Sequence, residues 1–285
     1  MAAITASMVK DLRERTGLGM MDCKKALVEA DGDAELAIEN LRKSSGMKAA
    51  KKAGRTAADG TIGFKVENGL GVMVEVNCET DFAAKDDNFK NFVQTVTDQI
   101  FAAKSADLQA LNDAGLEKVR EELVQKIGEN VSIRRAALLE GNITHYVHGT
   151  GKIGVMVILE GGDEELGKDI AMHIAAADPQ PLFTNTSEVP ADLIAKEREI
   201  YVAQAAESGK PAEIIEKMVE GRVRKFLAEI SLVEQPFIKN PDMKIGALLK
   251  QAGATVVQFV RYQVGEGIEV EHVDFATEVA STMGQ

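Results

Sequence analysis

Hydrophobic and polar positions divide this chain into stretches of different period. Over residues 5–43 apolar side chains recur every three or four positions, which predicts three short helices. Thr5 can cap a helix through Met8–Leu12, Gly17 ends it, Gly32 ends a second, and Asp33 caps a third carrying Leu36, Ala37 and Leu41. Ser44-Ser45-Gly46 follows, then a basic, alanine-rich segment from Met47 to Arg55 that bridges onward as helix or linker. From Thr61 the period falls to two: Thr61–Val66, an Asn68-Gly69 turn and Gly71–Val76 read as a hairpin whose second strand is half-buried. Helical spacing returns in two stripes, Phe89, Phe92, Val93, Val96 and Ile100, then Leu116, Val119, Leu123 and Ile127, before a strand at Val131–Leu139.

The same order then recurs. A strand from Ile143, a Gly149-Thr150-Gly151 turn, a strand Ile153–Leu159, a helix through Leu166, Ile170 and Ile174, and a closing strand Thr255–Val264 reproduce the first unit, with Gly71-Val72-Met73-Val74 and Gly154-Val155-Met156-Val157 at equivalent places. Between that helix and the closing strand, residues 179–232 read as an antiparallel helical hairpin. Leu193, Ile200 and Tyr201 line one helix, Gly209-Lys210-Pro211 turns the chain, and Ile215, Met218, Val219, Phe226 and Ile230 line the other. Such a hairpin buries little surface alone, so it either pairs with a second copy as a homodimer or folds onto its own body. The fold class is therefore α+β. Its expected parts are a three-helix module with linker (1–55), a first α+β subdomain (56–141), a second (142–264) interrupted by the 179–232 insert, and a helical carboxy-terminal module (265–285) carrying Asp274-Phe275-Ala276.

Composition changes this picture in two ways. At 285 residues, 45% hydrophobic and 27% charged, the chain is long enough for several packed cores, and no run approaches the ~20 apolar residues of a membrane span. Its net charge of −12 is uneven: residues 1–55 hold 11 Lys/Arg against 8 Asp/Glu, leaving 22 against 37 for the rest. An acidic body is a poor match for phosphate backbones, which leaves only the small basic amino-terminal segment suited to them, and no direct nucleic-acid binding is expected. Met1-Ala2-Ala3-Ile4-Thr5 lacks the basic and apolar regions of a secretory signal, and Cys23 and Cys78 form no disulfide or zinc spacing, so the expected location is the cytosol.

Enzyme motifs fare poorly. Gly149-Thr150-Gly151-Lys152-Ile153-Gly154 fits a glycine-rich fingerprint, but it joins two strands, whereas a dinucleotide site needs a strand entering a helix. There is no phosphate-loop GxxxxGK[ST], and no nucleotide, cofactor or metal site is expected. His145 and His148 fall on opposite faces of a strand, His173 and His272 read as helix-surface or cap residues, and Glu79 with Asp81 in a hydrophilic loop is a weak acid/base pair. Phe82 is the exception to an otherwise polar loop, Glu79 to Asp87. It is either a local core plug or an anchor for a partner's pocket.

Thr80-Asp81-Phe82-Ala83 resembles the signature Thr-Asp-Phe-Val loop of the elongation factor Ts family. Thr16-Gly17-Leu18-Gly19-Met20-Met21-Asp22-Cys23-Lys24-Lys25-Ala26-Leu27, Ile127-Gly128-Glu129-Asn130, His148-Gly149 and Met218-Val219-Glu220-Gly221 are similar to further family motifs, from end to end of the chain. The resemblance implies a ubiquitin-associated-like amino-terminal module and a guanine-nucleotide exchange factor, without bond chemistry, for elongation factor Tu. It implies that Phe82 wedges into the GTPase beside Asp81 and dislodges its Mg²⁺. Ile127 and Gly128 would support that wedge, His148 would press near the phosphate site, and Met20, Met21 and Lys24 would dock on the nucleotide-binding domain, although Met20 and Met21 also suit a helix core. Ala83 departs from the pattern by two methyl groups. A non-catalytic structural or chaperone-like partner of the same GTPase is the alternative, and an enzyme built on the glycine turn is a third reading.

Overall fold

The computed structural model describes residues 3–207 and 211–270. They fold into two compact units, one comprising residues 3–64, 74–136 and 263–270, the other 65–73, 137–207 and 211–262.

The first unit opens with α1 (Ala6–Thr16), α2 (Met20–Glu29) and α3 (Ala34–Lys52). Thr5 accepts from the Met8 amide at 3.3 Å, Asp33 accepts from Glu35 and Leu36, and Gly17 closes α1 at φ 68°. Val9, Leu12, Leu18, Cys23, Ala26, Leu27, Ala37 and Leu41 form its core, while Leu36 faces outward. Ser44-Ser45-Gly46 does not interrupt the third helix. The two hydroxyls bond back to Leu41 and Arg42 carbonyls, and Gly46 sits where an added Cβ would meet the Glu121 side chain.

Next come β1 (Asp59–Glu67), β2 (Leu70–Cys78), a one-turn helix α4 (Asp81–Lys85), α5 (Asp87–Ala103), and α6 (Leu108–Leu111), which passes through a wide π turn into α7 (Glu117–Ile127) before β3 (Val131–Glu140). The sheet order is β1-β2-β3. Phe89, Phe92, Val93, Val96 and Ile100 of α5 are buried, each contributing ~1.5–3 kcal/mol relative to exposure. Gly63 allows that approach, because a Cβ there would lie 2.7 Å from Val93 Cγ1. On α7 the buried pair is Leu123 and Val124, and Val119 is exposed.

β2 is not half-buried, as its alternation suggests, but buried throughout on both faces. Val74, Val76 and Cys78 alternate with Glu75, Asn77 and, past the strand end, Glu79. Glu75 accepts from Arg134 (3.0 Å), Arg135 (2.6 Å) and the Gly265 amide (2.9 Å). Burial alone would raise its carboxyl; these donors outweigh burial and hold it below the ordinary glutamate range.

In the second unit β4 (Ile143–His148) pairs antiparallel with β5 (Ile153–Glu160), and β8 (Thr255–Gln263) completes the order β4-β5-β8. Each sheet thus has its second strand in the centre, and the repeat visible in the sequence is a repeat of architecture. α8 (Glu164–Ala176) covers the sheet with Leu166, Ile170, Ala171 and Ile174. The helical hairpin is α9 (Ala191–Ala206) and α10 (Ala212–Ile230). Its seam joins Ile194, Tyr201 and Ala205 to Ile215, Val219, Val223 and Leu227, and Ile200 points outward instead of lining it. After it come a short ribbon, β6 (Pro236–Phe237) with β7 (Asn240–Lys244), and α11 (Ile245–Gln251), elements that no periodicity announces. The turn residues Gly209 and Lys210, His272 and the Asp274-Phe275-Ala276 helix lie outside the described residues.

His173 is no surface residue. It is buried, its Nε2 2.9 Å from Gln235 Oε1 and its Nδ1 accepting from the Ile238 amide at 3.2 Å. That pattern requires a neutral ring donating from Nε2, and burial, opposed by the Gln235 bond, pushes its pKa down.

Both groups make stability fall on acidification. Protonation of His173 favours the unfolded chain, so its contribution is full above the ordinary histidine value of ~6.5 and declines as pH falls through it. Glu75 contributes above the ordinary glutamate range and is lost below it, toward its depressed native value. Urea midpoints from pH 8 to pH 2 should therefore fall in two stages, and His173→Gln should flatten the upper one. Glu75→Ala, which takes one acceptor from two arginines that keep their bonds to Glu266 and leaves the Gly265 amide without its carboxylate, should cost ~1–3 kcal/mol at neutral pH; a loss under ~1 kcal/mol would contradict this account.

Candidate functional site

The site begins where β2 ends. The Cys78 thiol donates to the Thr80 carbonyl at 3.2 Å, and Thr80 adopts extended geometry and caps α4 by accepting from the Ala83 amide at 3.2 Å. Residues 80–85 are therefore a capped helical turn, where the sequence suggests a loop. Phe82 stands on it 80% exposed, which excludes the core-plug reading. Lys85 lies 5.9 Å from the centre of its ring and pairs with Asp81 at 2.6 Å. Ala83 is buried beneath the turn rather than at a rim, so its missing methyls concern internal packing.

Exposed apolar side chains occur singly on most surfaces and by themselves mean little. What distinguishes Phe82 is the rigidity of its base. Glu129 accepts from the Glu79 amide (3.1 Å), the Thr80 amide (3.0 Å) and the Thr80 hydroxyl (2.7 Å). Glu79 returns the contact, accepting from the Asn130 amide at 2.6 Å and pairing with Arg55 at 3.6 Å. Asn130 donates to the Arg55 carbonyl at 2.8 Å, and Lys52 to the Gly128 carbonyl. Three separate chain segments, 52–55, 79–83 and 128–130, are thereby laced together. Asp86, at the start of α5, is held below the usual carboxylate range chiefly by the Asn88 side chain, against burial, with help from the Asn88 and Phe89 amides and the charge of Lys126.

The end of α7 also meets the amino-terminal helices. Gly128 closes α7 at φ 86°, a conformation that favours glycine, and Ile127 before it is half-buried. Lys126 packs on the α1–α2 turn, where a Cβ on Gly17 would lie 2.5 Å from its Cε. Met20 and Met21 are 53% and 75% exposed at the start of α2, whose inner stripe is Cys23, Ala26 and Leu27, so the helix-core alternative for the two methionines fails. Lys24, one turn beyond Met21, is exposed as well. Thr80 is thus tied to the segment that follows Gly128 through Glu129, and Lys126, in the last turn of α7, meets the α1–α2 turn at Gly17. His148 belongs to the second unit, exposed at the end of β4 with Nδ1 3.1 Å from the Tyr146 hydroxyl. The Gly149–Lys152 segment after it is a hairpin turn, with His148 opposite Ile153. Glu79, weighed in the sequence only as a weak acid/base partner of Asp81, and Glu129, seen there only as part of a motif, take a bracing role that the sequence does not reveal, and so does the contact of Lys126 with Gly17.

A family model described as Elongation factor TS matches residues 79–266, well over half of the chain. The chain belongs to the elongation factor Ts family. That membership places it in translation elongation, among factors of the nucleotide-exchange kind. Proteins named Elongation factor Ts are similar along nearly the whole length: that of Hahella chejuensis is 63% identical over 286 residues, covering 99% of each chain. Those of Marinobacter nauticus and Cellvibrio japonicus are 58% identical over 287 residues and 57% over 284, covering 100% and 99% of this chain and 99% and 97% of theirs. No helix among the described residues is long and apolar enough to cross a membrane.

The exposure of Phe82 carries a direct consequence for stability. Phe82→Ala should shift unfolding free energy by no more than ~0.5 kcal/mol, whereas Thr80→Ala, which deletes a cap, should cost ~1 kcal/mol or more. Urea denaturation checks both, and a substantial loss in Phe82→Ala would return the ring to the core.

Proposed function

We propose that this member of the family binds elongation factor Tu carrying GDP, displaces its Mg²⁺ and promotes replacement of GDP by GTP, without making or breaking a covalent bond. One observation carries the reading: an aromatic ring offered to solvent on a turn tied to two other chain segments. A GTPase holds a nucleotide diphosphate through backbone amides and a Mg²⁺ that bridges phosphate and protein. Removing the ion leaves the phosphates poorly neutralised, so the diphosphate leaves faster. Insertion of Phe82 between elements of the GTPase, with Asp81 bonding beside it, supplies the displacement, and burying the ring contributes ~1.5–3 kcal/mol to the docked state.

The other residues take supporting parts. Met20, Met21 and Lys24 give an apolar, basic contact on the nucleotide-binding domain, Ile127 and Gly128 brace the wedge, and His148 presses on a neighbouring element from the second unit. Linkage fixes the thermodynamics: whatever factor the protein takes from GDP affinity, GDP takes from the protein's own affinity. Pairing of two copies through 179–232 is part of the proposal too, supported by the outward Ile200, Val202 and Ile214 of the hairpin helices, and sedimentation of the purified chain reads it.

The test is release of fluorescent GDP from elongation factor Tu. Catalytic amounts of the chain should accelerate release, and Phe82→Ala should abolish most of that acceleration while melting at the same temperature. Binding that persists without any acceleration by the unaltered chain would replace this reading with the structural or chaperone-like partner.

A further inference from the structure

The geometry points to Glu129 as a positioning residue that sets the rate of exchange by holding the turn beneath Phe82; the inference rests on the exchange reading above. The Glu79 and Thr80 amides fall between the end of β2 at Cys78 and the start of α4 at Asp81, where no ladder and no helical bond serves them. One oxygen of Glu129 takes both, at 3.1 and 3.0 Å. Its other oxygen takes the Thr80 hydroxyl proton at 2.7 Å, which leaves the hydroxyl oxygen to accept from the Ala83 amide, so the cap of α4 depends on Glu129 as well. Phe82 lies between the two ends of that cap. With three donors on one carboxylate, the direction in which the ring leaves the surface is fixed before any partner arrives.

Glu129 bonds the two amides and the hydroxyl beneath the turn, so it acts through the placement of that turn and the ring it carries or not at all. This distinguishes positioning from general support. Removing a residue that merely supports the fold lowers activity whatever stands at position 82; removing one that aims the ring has nothing left to do once the ring is gone. Glutamine is the conservative replacement. Its carbonyl can take the two amides, and its amide nitrogen can donate to the Thr80 oxygen, which still accepts from Ala83.

The experiment measures fluorescent GDP release from elongation factor Tu at saturating full-length chain, for the unaltered protein, E129A, E129Q, F82A and the double variant E129A/F82A. E129A should lower the maximal acceleration roughly tenfold or more, the scale of losing hydrogen bonds to a charged group. E129Q should recover most of it, and E129A should change little when added to F82A. Equal fold-losses in both backgrounds, or a loss in E129Q as deep as in E129A, would overturn the proposal. Amide hydrogen exchange gives a readout that does not pass through elongation factor Tu. The Glu79 and Thr80 amides should exchange slowly in the unaltered chain and fast in E129A, with the amides of β2 unchanged. Slow exchange of both in E129A would show that something else holds the turn. Should the unaltered chain fail to accelerate GDP release, the exchange reading falls, and amide exchange still decides whether Glu129 holds the turn.

Discussion

The polar face of β2 is the constraint on which the first unit depends. A central strand buried on both sides ordinarily carries apolar residues on both, yet here Glu75, Asn77 and Glu79 follow one another along one face while Val74, Val76 and Cys78 occupy the other. Each polar residue grips a different piece of chain. Glu75 holds Arg134, Arg135 and the Gly265 amide; Asn77 donates to the Asp59 carbonyl at 3.1 Å; Glu79 takes the Asn130 amide. Segments far apart in sequence are thus fixed by directional bonds that tolerate little slippage, whereas an apolar contact would allow several near-equivalent packings. Arg135 extends the network to Glu266 at 3.0 Å, tying the chain after β8 into the same unit as β2.

Such a face is expensive to bury. Buried ion pairs gain little over a well-packed apolar alternative, and their worth lies in what happens when one member is lost. The sign of the Glu75 shift shows that its donors more than offset the burial. The cost is borne at the strand that leads into the turn carrying Phe82, and the proposed wedge would need a base that does not yield. A compliant base would let the turn fold back on docking and spend the ring's burial energy on its own rearrangement.

Periodicity made most of the fold legible. The switch between 3.6 and 2 located the helices and both sheets, caps at Thr5 and Asp33 marked helix starts, and the doubled Gly-Val-Met-Val exposed the repeat. What escaped did so for physical reasons. Ser44-Ser45-Gly46 looks like a breaker, but the hydroxyls found carbonyl partners within the helix and the glycine gave room to Glu121. Alternation in β2 could not distinguish a polar face in water from one buried against arginines 59 and 60 residues away. The same holds for His173, whose partner Gln235 lies 62 residues on. Of the site, Phe82 was visible because a large apolar residue interrupts a hydrophilic run. Its brace was invisible because Glu129 and Thr80 are 49 residues apart, and nothing in a single sequence couples them.

The distribution of order across the site follows from the division of labour between contact and brace. Side chains that would meet a partner, Phe82, Met20, Met21 and Lys24, stand exposed, and the three apolar ones among them are cheap to desolvate. The residues that hold the turn of Phe82, Thr80, Glu79, Glu129 and Asn130, reach backbone amides and carbonyls, joined by side-chain links from Glu129 to the Thr80 hydroxyl and from Glu79 to Arg55. Backbone groups are present whatever side chain stands at a position, so the brace is insensitive to change in the contact residues themselves. A surface built this way can alter what it touches without rebuilding what aims it.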